Sequence, residues 1–418
     1  MLKNITFTFL IKLLIAALNL VVVIFLSRYL GAVGKGQATF ILASITMYLI
    51  GYNIVGGATL VFLVPRYGMK LLLLAGYSWT IATSVLLFTL VHFFRWIPTE
   101  FEAPVLILSM IDSFFNINTT LLVGKEKFKS VNFLYFVKAL ITAGALVLFF
   151  TVFNRHDVQA YIFTLYFTFS VTFLISLLFI LKNGLLEAGS QRGIQQVLIH
   201  CFQLGKINQT AHILQFTSLR LSYFLLSNFS DNAGLGIYSN GIVVTESIWL
   251  ISNSVATVHY ARIANSKDDN ASIDLTIQLS RLSSLICLGL VIVLAILPAS
   301  VYVFIFGPEF LNVKQVIYTL IPGVLLYNTA LVVGHYFSGI GQYWTSVRAN
   351  FLGLLVTIGL SLVAISYGYS IFFAGIIASI SYTVTTFVFV ISFCNKNNIV
   401  PFQLVPQLND LKKCFKLA

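Results

Sequence analysis

Apolar residues run along this chain in long blocks, and polar residues gather in short intervals between them. A helix needs about 20 mainly apolar residues to cross a bilayer. Twelve stretches reach that length: 5–26, 38–62, 71–94, 103–123, 131–153, 159–181, 207–229, 236–260, 282–306, 313–337, 346–366 and 371–393. The connections are short except from Lys182 to Lys206, which carries Gly184, Gly189, Gly193 and Gly205 among polar residues, and in the tail from Cys394. The pattern predicts an all-α polytopic membrane protein with about twelve transmembrane helices, six on each side of the mid-chain connection. The expected divisions are an N-terminal lobe (1–181), a cytoplasmic linker (182–206), a C-terminal lobe (207–393) and a cytoplasmic tail (394–418). The first block is too long for a signal-peptide core and another soon follows, so it reads as an uncleaved first helix.

Composition narrows the class further. Of 418 residues, 58% are hydrophobic and 9% charged, with mean hydropathy +0.94. Soluble domains carry roughly 25% charged residues, so a cytosolic enzyme, a nucleic-acid binder and a disordered chain are excluded. The 25 Lys and Arg against 13 Asp and Glu give a net charge of +12. With both termini cytoplasmic, eighteen basic residues fall inside, while Arg28, Lys35, Arg95, Arg155 and Lys314 fall outside and Lys138 and Arg220 lie within spans. That bias is a topology signal, not a sign of nucleic acid. Cys201, Cys287, Cys394 and Cys414 have no disulfide or zinc spacing, and no cofactor or metal site is indicated.

The two halves echo each other at an offset of 200. Leu26 to Gly36 lies over Leu226 to Gly236, with Leu26/Leu226, Ser27/Ser227, Gly34/Gly234 and Gly36/Gly236 identical. Both segments join the first and second spans of their half. Parallel repeats of this kind are a transporter device.

Charges within spans are the candidates for chemistry, because each costs roughly 2.5–3.5 kcal/mol near the bilayer centre on insertion scales. Asp112, Arg220 and Glu246 lie near the middle of their spans; Lys12 and Lys138 sit about two turns from the cytoplasmic ends. Ser109, Asn116 and Thr120 share a helical stripe with Asp112. Ser239 and Asn253 flank Glu246, Thr8 and Asn19 accompany Lys12, and Asn208, His212, Gln215 and Ser222 run beside Arg220. One reading makes these faces the lining of a hydrated interior. The other makes Arg220, Asp112 and Glu246 structural ion pairs, lets Lys12 and Lys138 snorkel to the headgroups, and leaves His212 an interhelical hydrogen-bonding residue. His92, His259 and His335 read as interfacial, the 38 Phe and 19 Tyr as mostly lipid-facing bulk, and Glu100/Glu102 and Asp268/Asp269 as solvated loop charge. There is no P-loop, GxSxG or HExxH motif, which points away from an enzyme.

The segment Leu26 to Gln37, L-S-R-Y-L-G-A-V-G-K-G-Q, resembles the first-loop motif of polysaccharide exporters, and A-G-L-G-I-Y-S (Ala233 to Ser239) resembles their second-half motif. With twelve spans and a basic mid-chain loop, the chain resembles Wzx-type O-antigen or capsule repeat-unit flippases of the multidrug/oligosaccharidyl-lipid/polysaccharide exporter superfamily. The family motif carries over onto Ser27, Arg28, Leu30, Gly31, Gly34 and Gly36. The resemblance implies a multi-pass protein of the bacterial inner membrane that moves undecaprenyl-diphosphate-linked oligosaccharide to the periplasmic leaflet by alternating access. It also implies two six-helix lobes around a central cavity, with a polysaccharide polymerase and a chain-length regulator as partners. Unlike lipid-II-type flippases, the chain lacks two further C-terminal helices, and its first helix carries Lys12 rather than an arginine cluster.

The expected roles follow from phosphate chemistry. Arg220 is the midplane phosphate contact, Lys138 and Lys12 attract on the uptake side, and Arg28 serves as a gate or release contact. Asp112 and Glu246 pair with these cations in one state, or one carries a coupling proton. Asn19, Asn116, His212, Gln215 and Asn253 are the expected polar lining. A multidrug or small-cation exporter of the same superfamily is the alternative, and a membrane-embedded glycosyltransferase ranks third because no connection exceeds about 25 residues.

Overall fold

The computed structural model describes residues 2–182, 193–250, 252–253, 263 and 269–406. His259, Asp268, Cys414, residues 183–192 of the expected linker and the end of the tail lie outside them, and the expected linker is helix from Ile194 onward. Among the described residues the chain is helical throughout, with no strand. The chain forms two compact units, Met1–Gln209 and Thr210–Ala418.

The helices are α1 (Leu2–Tyr52), α2 (Gly57–Tyr67), α3 (Met69–Phe94), α4 (Thr99–Gly124), α5 (Phe128–Val147), α6 (Val158–Lys182), α7 (Ile194–Phe229) and α8 (Asn232–Glu246). They continue as α9 (Asp269–Ile296), α10 (Ala299–Phe306), α11 (Val313–Gly339), α12 (Tyr343–Ser366) and α13 (Ile371–Asn397). Nine helical stretches among the described residues are long and apolar enough to cross a membrane, with Ile11–Tyr67 counted as one. Dividing that stretch at its bend and adding α7, which is more polar, and α8, which is short, brings the tally to the twelve that the sequence predicts.

Four local expectations are corrected. The loop between the first two predicted spans is helix: α1 bends at Gly31, whose φ of 66° and ψ of −172° re-aim the chain without a connecting loop. Glycine takes that backbone without a Cβ clash. The second predicted span stops at Tyr52, a 3₁₀ turn covers Asn53–Val55, and α2 restarts at Gly57 with φ of 49°. The ninth predicted span is two helices, because Pro298 cannot continue α9 and instead precedes α10. Glu102, expected as solvated loop charge, is buried in the first turn of α4.

In the first unit α4 packs against α1, α2, α3, α5 and α6. In the second, α11 and α13 pack together, with α12 on α13 and α8 and α9 on α11. Small residues let these helices approach, as they do in lipid where no hydrophobic force drives association. A Cβ on Gly323 of α11 would lie 2.5 Å from the Ser379 Cα of α13, and the Gly323 N–H donates to Ser379 Oγ at 2.7 Å. Buried amides and hydroxyls find partners across helices: Asn118 Nδ2 donates to Ser176 Oγ (2.9 Å), and Asn328 Nδ2 to Ser283 Oγ (3.2 Å) and Ser284 Oγ (3.1 Å).

Candidate functional site

Among the described residues, each unit holds a Lys or Arg paired with a carboxylate inside its helices, and each of these pairs is built from consecutive helices. In the first unit Asp112 projects from α4 and Lys138 from α5; the Lys138 ammonium donates to Asp112 Oδ1. The ammonium lies 4.9 Å from the Phe115 ring centroid and 4.5 Å from that of Phe169 on α6. A desolvated cation recovers from such ring faces part of what it loses in leaving water. Beside the pair, the Tyr135 hydroxyl lies 3.3 Å from Thr119 Oγ1 and donates to Asn116 Oδ1 at 3.4 Å. Ser109, one turn before Asp112, is taken up by the Tyr52 hydroxyl at 3.3 Å.

In the second unit Arg220 of α7 meets Glu246, the last residue of α8, fork to fork. Nη1 donates to Oε1 at 2.9 Å and Nη2 to Oε2 at 2.5 Å. A third donor, the Tyr382 hydroxyl of α13, reaches Oε1 at 3.2 Å. Aromatic rings enclose the pair: Arg220 lies over Tyr223 at 5.3 Å, while Tyr382, Tyr327 and Trp249 pack against one another in tilted and edge-to-face contacts at 4.8–5.5 Å. Gln215 Nε2 holds the Tyr327 hydroxyl at 3.1 Å, and Trp249 Nε1 donates to the Val324 carbonyl at 3.1 Å. The side chains of Arg220 and Glu246 keep 24% and 14% of their surface accessible. A guanidinium in this state holds its two parallel donors ready for any planar or tetrahedral oxyanion that can displace the carboxylate.

The other predicted residues scatter. Lys12 and Asn19 are exposed on the first arm of α1, and Arg28 is exposed just before the bend. His212 and Asn253 are exposed, and Asn116 and Gln215 are half-buried. Within the motif, Gly31 makes the bend, Ser27 donates to the Val23 carbonyl at 2.8 Å, and a Cβ on Gly34 would press on Leu30 Cβ at 2.6 Å. Gly36 is buried and Leu30 half-buried. These residues therefore shape a hinge in α1.

Two groups escape a reading by spacing. Lys35, assigned to an outside loop, is 5% exposed inside the helix, its ammonium donating to Thr39 Oγ1 at 2.8 Å. Tyr223, Trp249, Tyr327 and Tyr382 come from separate segments of chain, and nothing in their sequence spacing marks them among the bulk aromatics. The acidic stripe of α4 and the mid-span position of Arg220 were the signals available.

No family model matches the chain, and no curated protein sequence does. Among solved structures, the lipid II flippase MurJ in an inward closed conformation superposes with a TM-score of 0.71 at 15% identity, covering 96% of this chain and 89% of its own. An outward-facing multidrug resistance MATE transporter of the MOP superfamily gives 0.68 at 12% identity over 94% and 95%. A MOP superfamily transporter from Pyrococcus furiosus, described as having a binding pocket of reverse polarity, gives 0.64 at 14% over 94% of both chains. Coverage is near complete in both directions, so the whole chain, and not one half of it, has the multi-pass membrane fold that MATE transporters share with the lipid II flippase.

Proposed function

We propose that this protein is a flippase that moves undecaprenyl-diphosphate-linked oligosaccharide repeat units, of O-antigen or capsule type, across the bacterial inner membrane by alternating access. The Arg220 fork carries this reading. A diphosphate crossing hydrocarbon needs its charge compensated at every depth, and a bidentate guanidinium is the side chain that matches phosphate oxygens. Held on Glu246, the fork is charge-neutral when no cargo is present. An arriving phosphate takes the two donors, and Glu246 retains the Tyr382 hydroxyl. Without that retained donor and a proton, a stranded buried carboxylate costs several kcal/mol. The return of Glu246 to Arg220 then displaces the phosphate on the far side. The exposed Lys12 and Arg28 supply further positive charge along the first unit, where Lys138 is neutralised by Asp112. A glycan polymerase and a chain-length regulator would act on the product.

Export of multidrug-type cations is the second reading. It is favoured by the acids Asp112 and Glu246 standing beside ring faces, where a cationic drug could take the place of Lys138 or Arg220. Deleting the gene separates the two. Loss of surface glycan with accumulation of lipid-linked single repeat units supports the flippase; drug sensitivity with intact glycan supports the exporter.

A further inference from the structure

The Arg220 fork is charged, whereas most of a glycolipid headgroup is neutral sugar. The aromatic wall around the fork also holds a neutral polar group. Gln215 projects from α7 and is half-buried. Its Nε2 donates to the Tyr327 hydroxyl of α11 at 3.1 Å. Among the described residues that is its only hydrogen bond, so Oε1 and a second N–H make no bond to protein. Turned end for end, the amide would accept from Tyr327 and leave both N–H groups open instead. In either orientation it keeps hydrogen-bonding capacity that the protein does not use, within a span where unused capacity is costly.

The amide is held in register with the fork. Tyr327 is buried, and its ring lies 5.2 Å from that of Tyr382, whose hydroxyl donates to Glu246 Oε1 at 3.2 Å. Trp249 packs on both rings and is pinned by its own bond to the Val324 carbonyl. Gln215, Tyr327, Tyr382, Glu246 and Arg220 therefore form one chain of contacts that fixes the amide relative to the guanidinium. Along α7 the two side chains start five residues apart, a rise of about 7.5 Å. A diphosphate with the first ring atoms of its sugar spans a similar length. The charge bias puts the start of α7 on the inside, so Gln215 lies on the inner side of Arg220. A glycolipid that enters from the inside and sets its phosphate on the fork still trails its sugar on that side.

We propose that Gln215 is the sugar contact of the cargo site: with the diphosphate on Arg220, its amide hydrogen-bonds neighbouring hydroxyls of the first pyranose ring. The subsite rests on the flippase reading and names what that site recognises beyond phosphate. An amide sets a donor and an acceptor side by side, and adjacent ring hydroxyls present the same two functions in return. Gln215 carries no charge, so it adds nothing to the grip on bare phosphate and acts on the sugar alone. A site built to hydrogen-bond hydroxyls disfavours a cargo that lacks them, because its own groups are then left unpaired. The competing reading makes the Gln215–Tyr327 bond a tie between α7 and α11 and nothing more.

Binding measurements separate the two. Purified full-length protein in lipid nanodiscs is titrated with undecaprenyl diphosphate, either bare or carrying a single N-acetylglucosamine or a single galactose. The wild type is expected to bind at least one sugar-bearing form more tightly than the bare lipid. Gln215→Leu, of similar volume, is expected to weaken that form about 3- to 10-fold, as the loss of a hydrogen bond would. Its affinity for the bare lipid stays unchanged, which also shows that the variant is folded. Tyr327→Phe severs the same bond between helices but keeps the amide, so the sugar preference is expected to survive in it. Equal loss of preference in Tyr327→Phe and Gln215→Leu marks a mere tie and overturns the subsite. So does a wild type without sugar preference, or a Gln215→Leu variant that binds all forms as the wild type does or weakens them all alike. A wild type that binds none of the three lipids is a different result: it defeats the flippase reading itself, and the subsite with it.

Discussion

The two intramembrane ion pairs solve one electrostatic problem in different ways. Lys138 makes a single contact to Asp112, which is buried, and holds its ammonium beside the Phe115 and Phe169 rings, with 20% of its side chain accessible. Arg220 grips Glu246 with two parallel donors and Tyr382 adds a third, while the Arg220 side chain is about as accessible as that of Lys138, at 24%. A point charge boxed by phenyl rings is a tie between helices. A planar fork with an exchangeable carboxylate is a binding device. On the flippase reading proposed above, cargo exchange falls to the second unit and helix fastening to the first.

The largest expected effect comes from removing one partner. Arg220→Ala, Glu246→Ala, Lys138→Ala and Asp112→Ala each strand a buried charge and should lose about 3–5 kcal/mol of stability, visible as a lowered Tm of the purified protein. Replacing both members sharpens the contrast. Asp112→Leu with Lys138→Met should recover the stability, because an apolar pair of similar volume is near neutral, and should keep most of the flipping. Glu246→Leu with Arg220→Met should recover stability in the same way and still fail to flip. Equal transport in the two double variants would erase the distinction.

A smaller effect is expected from Tyr382→Phe. It removes the third donor to Glu246 and should cost about 0.5–1.5 kcal/mol, with flipping slowed several-fold and glycolipid binding retained. The smallest concerns the first unit's surface. Partial burial works against the Asp157 charge, but the Ala160 N–H at 2.6 Å and Arg155 at 2.9 Å outweigh it and hold the carboxyl below its ordinary range. A lowered folded-state pKa means the stabilisation is complete above about pH 4 and fades as pH falls through the folded value. Asp157→Asn should therefore lower Tm slightly at neutral pH and converge with the wild type in acid.

Much of this arrangement was legible before any coordinates. Helix length and apolar blocks gave the span number, and Asp112, Arg220 and Glu246 stood out because charge is expensive in lipid. Each acid and its base lie on consecutive helices, which is why reading one span at a time found the charges and expected them to pair, but not which acid takes which base. The aromatic enclosure was invisible because Tyr223, Trp249, Tyr327 and Tyr382 come from distant stretches and look like lipid-facing bulk. Lys35 was misplaced because Gly34 and Gly36 imitate a loop, whereas only Gly31 leaves helical geometry. Glu102 was misread for a related reason: the short Trp96–Pro98 connection suggested solvent, and α4 begins at once and draws its first turn into the unit.

The exchange of Glu246 for phosphate on Arg220 is tested most directly by a flipping assay in proteoliposomes with undecaprenyl-diphosphate-linked oligosaccharide. Wild type, Arg220→Lys and Arg220→Ala are compared at matched, folded protein content. Loss of flipping in Arg220→Ala and a strong reduction in Arg220→Lys, which keeps the charge but not the fork, is the expected result. Near-normal rates in both variants would contradict it.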